Sequence, residues 1–270
     1  MKIAFICVNY NNSKITLAYI ESVLGLSTKE EIHIVVVDNA SRPEELSILK
    51  SFHHPQLTVI YQNENLGYFK GLNKGIDAIN AKEFDYVLIG NNDLTFEADF
   101  LKQLEAETFA QDVLVLAPNI IRIDGIHQNP HILNKFSKVQ RIYRRLYYSH
   151  YWVAVNLQKL YNVLKPGLVA EDRAGHDIRQ EILMGYGACY ILTPQFFNHF
   201  ERLDAPVFLM GEEGVLANQV LGVSGKTLYL PNLVVHHHDH ASIGTVPTRK
   251  LYEFSRQSYQ HYLRNLKNIQ

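Results

Sequence analysis

Short apolar runs and amphipathic stretches alternate along the first 120 residues. Ile3–Val8, Ile32–Val37, Leu57–Tyr61, Tyr86–Ile89 and Val113–Ala117 are short, rich in β-branched residues and closed by polar turns, the pattern of strands buried on both faces. Helical segments fill the gaps over Ser13–Leu26, Pro43–Phe52, Gly67–Ile79 and Glu97–Phe109. Strict alternation of strand and helix predicts βαβ units, hence an α/β protein with a mostly parallel central sheet flanked by helices. The strand exits share a character. "VNYNN", "VDNAS", "QNENLGYFKG" and "GNNDL" put Asn, Asp, Ser or Gly at one edge of the sheet, the carboxyl edge where open α/β folds bind ligands.

The pattern changes after Asn119. From Gly125 to Ala170 there is no Asp or Glu, while Lys135, Lys138, Arg141, Arg144, Arg145, Lys159 and Lys165 supply seven positive charges. A helix here would line Phe136, Val139, Tyr143, Leu146 and Tyr147 on one face and Lys135, Lys138, Arg141 and Arg145 on the other. That suits a solvated surface helix, or contact with a membrane surface or an anionic acceptor. Regular structure returns with "MGYGACYILTP", a short helix near Phe196–Arg202, "PVFLMGEEGVLANQVL" and a strand running into "LVVHHHDHAS". The tail from Thr248 sets Tyr252, Tyr259, Tyr262, Leu263 and Leu266 on one helical face, fit to pack on the domain or on a second copy as a homodimer. The expected organisation is one domain over 1–242, comprising a nucleotide-binding half (1–120), a basic helical lid (125–175) and an acceptor-side half (180–242), with a C-terminal helical extension over 243–270.

Composition narrows the function. A chain of 270 residues, 47% hydrophobic, can build a sizeable core, and its formal net charge of -1 provides no field for nucleic-acid binding. Cys7 and Cys189 sit far apart in apolar runs, so neither a disulfide framework nor a thiolate metal site is indicated and a reducing, cytoplasmic setting is expected. The apolar start is short and broken by asparagines, unlike a signal peptide, and no run nears the ~18 apolar residues of a membrane span. Membrane contact, if made, is expected to be peripheral, at the inner face.

The strand exits carry the candidate chemistry. Asp38, ending an apolar strand, is placed either to cap a turn or to accept a hydrogen bond from the imino N–H of a uracil or thymine base. Gly67, Gly71 and Gly75 recur at four-residue spacing, which lets a helix approach the sheet while its N-terminus, Lys70 or Asn73 faces phosphate. In "NND", Asp93 suits a hard divalent cation, Mg or Mn, with Asn91 as a weaker ligand. Adjacent carboxylates at Glu212 and Glu213 repel each other, so one is expected to have the raised pKa of a general base or to favour a helix N-terminus. "HHHDH" offers His236 or His238 as a further metal ligand.

Taken in order, "VNYNN", "VVVDNAS", "NENLGYFKGLNKGI", "YVLIGNNDLTF", "GYGACYIL", "FLMGEEG" and "VVHHHDHAS" resemble the family 2 glycosyltransferases of the GT-A fold, and most closely the bacterial rhamnosyltransferase-like group that builds surface polysaccharides. The resemblance runs from Lys2 to about Ser242. It implies a metal-dependent, inverting transferase that moves a sugar from a UDP- or dTDP-linked donor to a hydroxyl of a glycan or lipid-linked acceptor. Asn9 and Tyr10 would then serve the base and ribose, Asp38 the base, and Asn65, Gly67, Lys70, Asn73 and Asn92 the rest of the donor pocket. Asp93 would hold the metal with Asn91 and His236, Gly187 and Ala188 would admit the acceptor, and Glu213 would be the base beside Glu212. The family has Glu-Asp where this chain has Glu-Glu, and a first carboxylate where it has Asn91, so the choice between the two glutamates stays open. A sugar nucleotidyltransferase would start with a glycine-rich basic loop, absent from "VNYNNSKIT". A non-catalytic nucleotide-sugar binding partner would need neither glutamate, and a zinc hydrolase on "HHHDH" lacks a second set of ligands.

Overall fold

The computed structural model describes residues 1–26, 31–164, 172–238 and 248–266, the side chains of 264–266 excepted. Lys165, residues 239–242 and the Leu266 side chain therefore lie outside the described residues. The first half alternates as its sequence predicts: β1 (Lys2–Asn9), α1 (Ser13–Leu24), β2 (Glu31–Asp38), α2 (Pro43–Ser51), β3 (Leu57–Tyr61), α3 (Tyr68–Asp77), β4 (Tyr86–Asn91), β5 (Leu94–Phe96), α4 (Phe100–Ala106) and β6 (Val113–Arg122). The insert forms α5 (Lys138–Tyr147) and α6 (Tyr151–Leu164). Then come β7 (Gln180–Ile182), β8 (Cys189–Leu192), α7 (Pro194–His199), α8 (Glu212–Gly222), β9 (Lys226–His237) and α9 (Arg249–Leu266).

One sheet runs in the order β3-β2-β1-β4-β8-β6-β9-β5, with β7 pairing β9. Strands β3, β2, β1 and β4 are parallel, as are β6 and β9, but β8 enters antiparallel between β4 and β6 and β5 runs antiparallel to β9. The sheet is thus mixed, and its longer ladders are the parallel ones. Strand periodicity reports burial, whereas direction depends on a long-range partner, and "CYIL" pairs with strands roughly 75 and 100 residues before it. Alternate residues of β1 feed the two faces: Ile3, Phe5 and Cys7 pack with Tyr19, Ile20 and Val23 of α1, while Ala4 and Ile6 pack with Phe69, Leu72 and Ile76 of α3. The small residues of α3 have the expected purpose. A Cβ on Gly75 would stand 2.2 Å from the Ile6 side chain, so glycine lets this helix lie close on the sheet.

The insert departs from its expected face. Val139, Ile142, Tyr143 and Leu146 of α5 are exposed, and the side turned to the body carries Arg144, Tyr147 and Tyr148. Aromatic packing outweighs the apolar stripe here: Tyr148 stacks on Tyr259 at 4.5 Å, the Tyr252 hydroxyl donates to the Tyr147 carbonyl and Arg256 Nε donates to the Tyr148 carbonyl. Tyr252 and Tyr262 of α9 are buried, so the tail packs on the body of its own chain. No helix among the described residues is long and apolar enough to cross a membrane.

Candidate active site

The carboxyl ends of β1, β2 and β4 meet in one polar network. Asn9 donates through Nδ2 to Asp38 Oδ2 at 2.7 Å and approaches the Ser13 and Ser41 hydroxyls at 3.2 Å, while its Oδ1 accepts from Thr16 Oγ1 at 2.8 Å. Asp38 Oδ1 accepts the Ser41 backbone N–H at 3.0 Å, and Asn92 Nδ2 donates to Thr16 Oγ1 at 2.7 Å. Asn9 and Asp38 are fully buried, so they act as the fixed floor of this edge, and Tyr10, 49% exposed, stands at its rim. Such a network is stable only because nearly every polar atom in it has a partner.

The loop before α3 joins the network through Asn39. Its Nδ2 donates to Asn65 Oδ1 at 3.1 Å and to the Gly67 carbonyl at 2.9 Å, and Asn65 Oδ1 also accepts the Gly67 N–H. Gly67 has φ +86°, and a Cβ there would stand 2.1 Å from the Phe208 carbonyl oxygen. Only glycine fits this turn. Asn73 is placed elsewhere. Lys70 is on the exposed face of α3, and Asn73 is buried, clipping the Leu203 backbone with bonds of 2.8 and 2.9 Å. The Asn73 side chain is thus committed to Leu203 and not to the helix N-terminus. The glycines turn one face of the helix to the sheet, whereas Asn73, two residues on from Gly71 and so nearly opposite it, turns to Leu203.

"NND" forms the turn between β4 and β5, and the histidine beside it is not the one expected. Asp93 Oδ1 lies 3.3 Å from His237 Nε2, and Asn91 Nδ2 lies 3.3 Å from the same nitrogen. His237 Nδ1 is 2.8 Å from Gln128 Oε1; with the amide so oriented, Nδ1 carries the proton and Nε2 turns its lone pair toward Asp93. His236 points the other way and meets Glu97 at 2.6 Å, partly exposed. Strand alternation decides this: β5 pairs with β9 so that one histidine of the run faces inward and its neighbours outward. A carboxylate and an imidazole nitrogen converging in a nearly buried position fit a divalent cation of the Mg or Mn class.

The paired glutamates open α8. Met210 and Gly211 both adopt left-handed backbone, with φ +71° and +86°, and this sharp turn aims Glu212 and Glu213 inward from the first turn of the helix. Burial first, then the charge of Glu213, raises the Glu212 carboxyl to about 7, and Glu212 Oε1 has no hydrogen-bond partner among the described residues. Burial also raises Glu213, opposed by hydrogen bonds from its own backbone and from Gly187. Gly187 is small of necessity, because a Cβ there would be 2.7 Å from Glu213 Oε1, and its carbonyl accepts from the Tyr68 hydroxyl at 3.0 Å.

Asn91, Gly187, Ala188, Glu212 and Glu213 line a single cavity of about 400 Å³. Its remaining walls were not legible as site residues: Tyr68 and Tyr186 from the body, His131 and Arg144 from the insert, and Ser258 and Tyr259 from α9. Asn39, Ser41 and His237 were also missed, although "VDNAS" and "HHHDH" contain them.

Comparison with known proteins agrees with this architecture. No curated protein matches the chain by sequence. Among solved structures, the chain is similar to GalNAc-T7 with UDP, GalNAc and Mn2+ (TM-score 0.61, 12% identity, 99% of this chain and 48% of that one). It is also similar to residues 1–349 of S. aureus TarS (0.53, 15%, 88% and 61%). A third is the Pyrobaculum calidifontis mannosyltransferase PcManGT with GDP-Man and Mn2+ (0.55, 14%, 98% and 63%). This chain therefore spans between about half and under two thirds of the length of these structures, which share its GT-A fold. The glycosyl transferase family 2 profile matches residues 4–163, more than half of the chain, and the protein belongs to that family.

Proposed function

We propose that this glycosyltransferase moves a sugar, with inversion, from a UDP- or dTDP-linked donor to a hydroxyl of a glycan or lipid-linked saccharide, in the manner of the rhamnosyltransferase-like enzymes of bacterial surface polysaccharides. The observation that carries the reading is the convergence of Asn91, beside Asp93, with Glu212 and Glu213 on one cavity. Asn9, Asp38 and Asn92 organise the nucleoside end, with Tyr10 at its rim. A divalent cation held by Asp93, Asn91 and His237 would neutralise the charge that develops on the departing diphosphate. Glu213, backed by Gly187, takes the proton of the acceptor hydroxyl as its oxygen bonds to the anomeric carbon and the nucleoside diphosphate leaves from the opposite face. Glu212 precedes it on the same helix turn, its own ionisation held back by burial and by the Glu213 charge.

The insert supports a lipid-linked acceptor. Val139, Ile142 and Leu146 on α5 and Trp152, Leu160 and Val163 on α6 are more than half exposed, beside Lys138, Arg141, Arg145 and Lys159 and with no acid between Gly125 and Ala170. Large apolar side chains flanked by cations suit the headgroup region of an anionic bilayer, a peripheral placement at the cytoplasmic face. A panel of UDP- and dTDP-sugars, assayed with and without Mg or Mn and with the product anomer read by NMR, tests the reaction. Metal-dependent transfer with an inverted anomeric centre supports it; a retained configuration, or no transfer from either donor class, rejects it.

A further inference from the structure

The insert rejoins the body through a cluster outside the active-site cavity. His127 follows the end of β6, and Asp172 and His176 belong to the turn leading into β7. One donor atom from each lies within 4.8 Å of the others, and Asp172 Oδ2 is 3.3 Å from His176 Nε2 and 3.9 Å from His127 Nε2. The atoms on the far side of His127 and of Asp172 are already engaged. His127 Nδ1 meets Asn119 Oδ1 at 2.6 Å; an amide oxygen accepts, so the proton sits on Nδ1 and the Nε2 lone pair is left for a ligand. Asp172 Oδ1 accepts the backbone N–H groups of His127 at 2.9 Å and Arg173 at 3.0 Å, which turns Oδ2 to the histidines. The two imidazoles stack with centroids 3.9 Å apart, and the Tyr229 hydroxyl donates to the His176 carbonyl.

An exposed carboxylate pairing with one protonated histidine would account for Asp172 and His176. It would not account for a second imidazole held edge-on by Asn119 with its free nitrogen turned to the same point. We propose that His127, Asp172 and His176 bind a second divalent transition ion, with zinc the best match: two imidazole nitrogens and one carboxylate oxygen are zinc ligands, and oriented outer partners are the usual support for them. None of the three lines the active-site cavity. The ion is a clasp that ties the C-terminal end of the insert to β6, and so fixes the base of the lid over the acceptor side.

The test needs no donor or acceptor, so its outcome is independent of the proposed transfer reaction. The full chain, stripped of metal, is titrated with Zn2+ and with Co2+ in the absence of nucleotide, in competition with a chelator. One equivalent binds tightly, and Co2+ gives the visible absorption of a four-coordinate N/O site. His127→Gln, His176→Gln and Asp172→Asn each weaken binding by ~100-fold or more, and Asn119→Ala, which removes an outer partner together with its bond to the Pro231 carbonyl, by ~10-fold. Asp93→Ala leaves the affinity unchanged. Should a histidine variant fold poorly, zinc-dependent thermal stabilisation of the parent chain, absent from Asp172→Asn, carries the same information. Absence of a tight site, affinity indifferent to His127 and His176, or loss of binding in Asp93→Ala would overturn the proposal.

Discussion

Glu212 makes stability depend on pH in a direction opposite to that of a salt-bridged carboxylate. Its folded pKa of about 7 lies above the 4.5 of an unperturbed glutamate, because burial and the neighbouring Glu213 disfavour its charge. The folded state therefore holds this proton more tightly than the unfolded chain. Below pH 4.5 both states are protonated and ionisation of this group costs nothing. As pH rises from 4.5 to 7 the unfolded state ionises first, so stability falls, and above 7 the whole difference has been lost. With 1.36 kcal/mol per unit, the shift corresponds to about 3 kcal/mol in total, most of which falls between pH 5 and pH 8. Glu212→Gln removes the titration while keeping the shape. Its stability relative to the parent should therefore improve by about 2 kcal/mol from pH 5 to pH 8, whatever constant offset the amide introduces, or roughly 5 °C in Tm for a chain of this size. Paired chemical denaturation curves at several pH values measure this. A constant difference between the two proteins across that range would show that the carboxylate is not held neutral by its surroundings and would refute the argument.

Three further outcomes follow from the same geometry. Asp93→Ala should abolish transfer and remove the metal-dependent part of nucleoside diphosphate binding, whereas Asn91→Ala, whose amide is a weaker ligand, should be milder; calorimetry with and without Mn2+ separates them, and equal binding by Asp93→Ala and the parent would reduce "NND" to a turn. Asn73→Ala should destabilise the fold by about 2 kcal/mol by stranding the Leu203 backbone groups, yet leave the donor KM unchanged; a raised KM at parental stability would return Asn73 to the donor pocket. Flotation with anionic vesicles should capture the protein at low salt, with roughly 1 kcal/mol per well-placed Lys or Arg, and Trp152→Ser with Leu146→Ser should release it; capture indifferent to lipid charge would remove the membrane reading.

The sequence was most legible where local pattern and tertiary burial agree. β3 begins and ends where its apolar run does, and the start of α2 at Pro43 follows from the fixed φ of proline at the first helical position. Asn9, Asp38, Asn92 and Asp93 lie at strand ends, where the sequence sets them, because amides and acids there are out of place unless they build an edge. What escaped depends on partners distant in sequence. β8 is antiparallel because of the strands on either side of it, and nothing in "CYIL" states a direction. The choice of His237 over His236 turns on the register of a three-residue strand, β5, against the end of β9. Asn73 looked like a phosphate ligand because it lies near a helix start, but its face of the helix is turned to Leu203. Val139, Tyr143 and Leu146 have the spacing of a buried stripe and are exposed, since helical periodicity reports amphipathicity and not what covers it.

The proposed reaction makes Glu213 the base of the glycosyl transfer. Its most direct test is the turnover of Glu213→Gln beside Glu212→Gln, with donor affinity measured separately on each. The amide is nearly isosteric and the nucleotide network lies elsewhere, so Glu213→Gln should bind donor as the parent does while kcat falls by ~100-fold or more and the acid limb of the pH profile disappears. Glu212→Gln should keep most of its turnover. Near-parental turnover by Glu213→Gln beside an inactive Glu212→Gln would reverse the two roles, and two active variants would contradict the account.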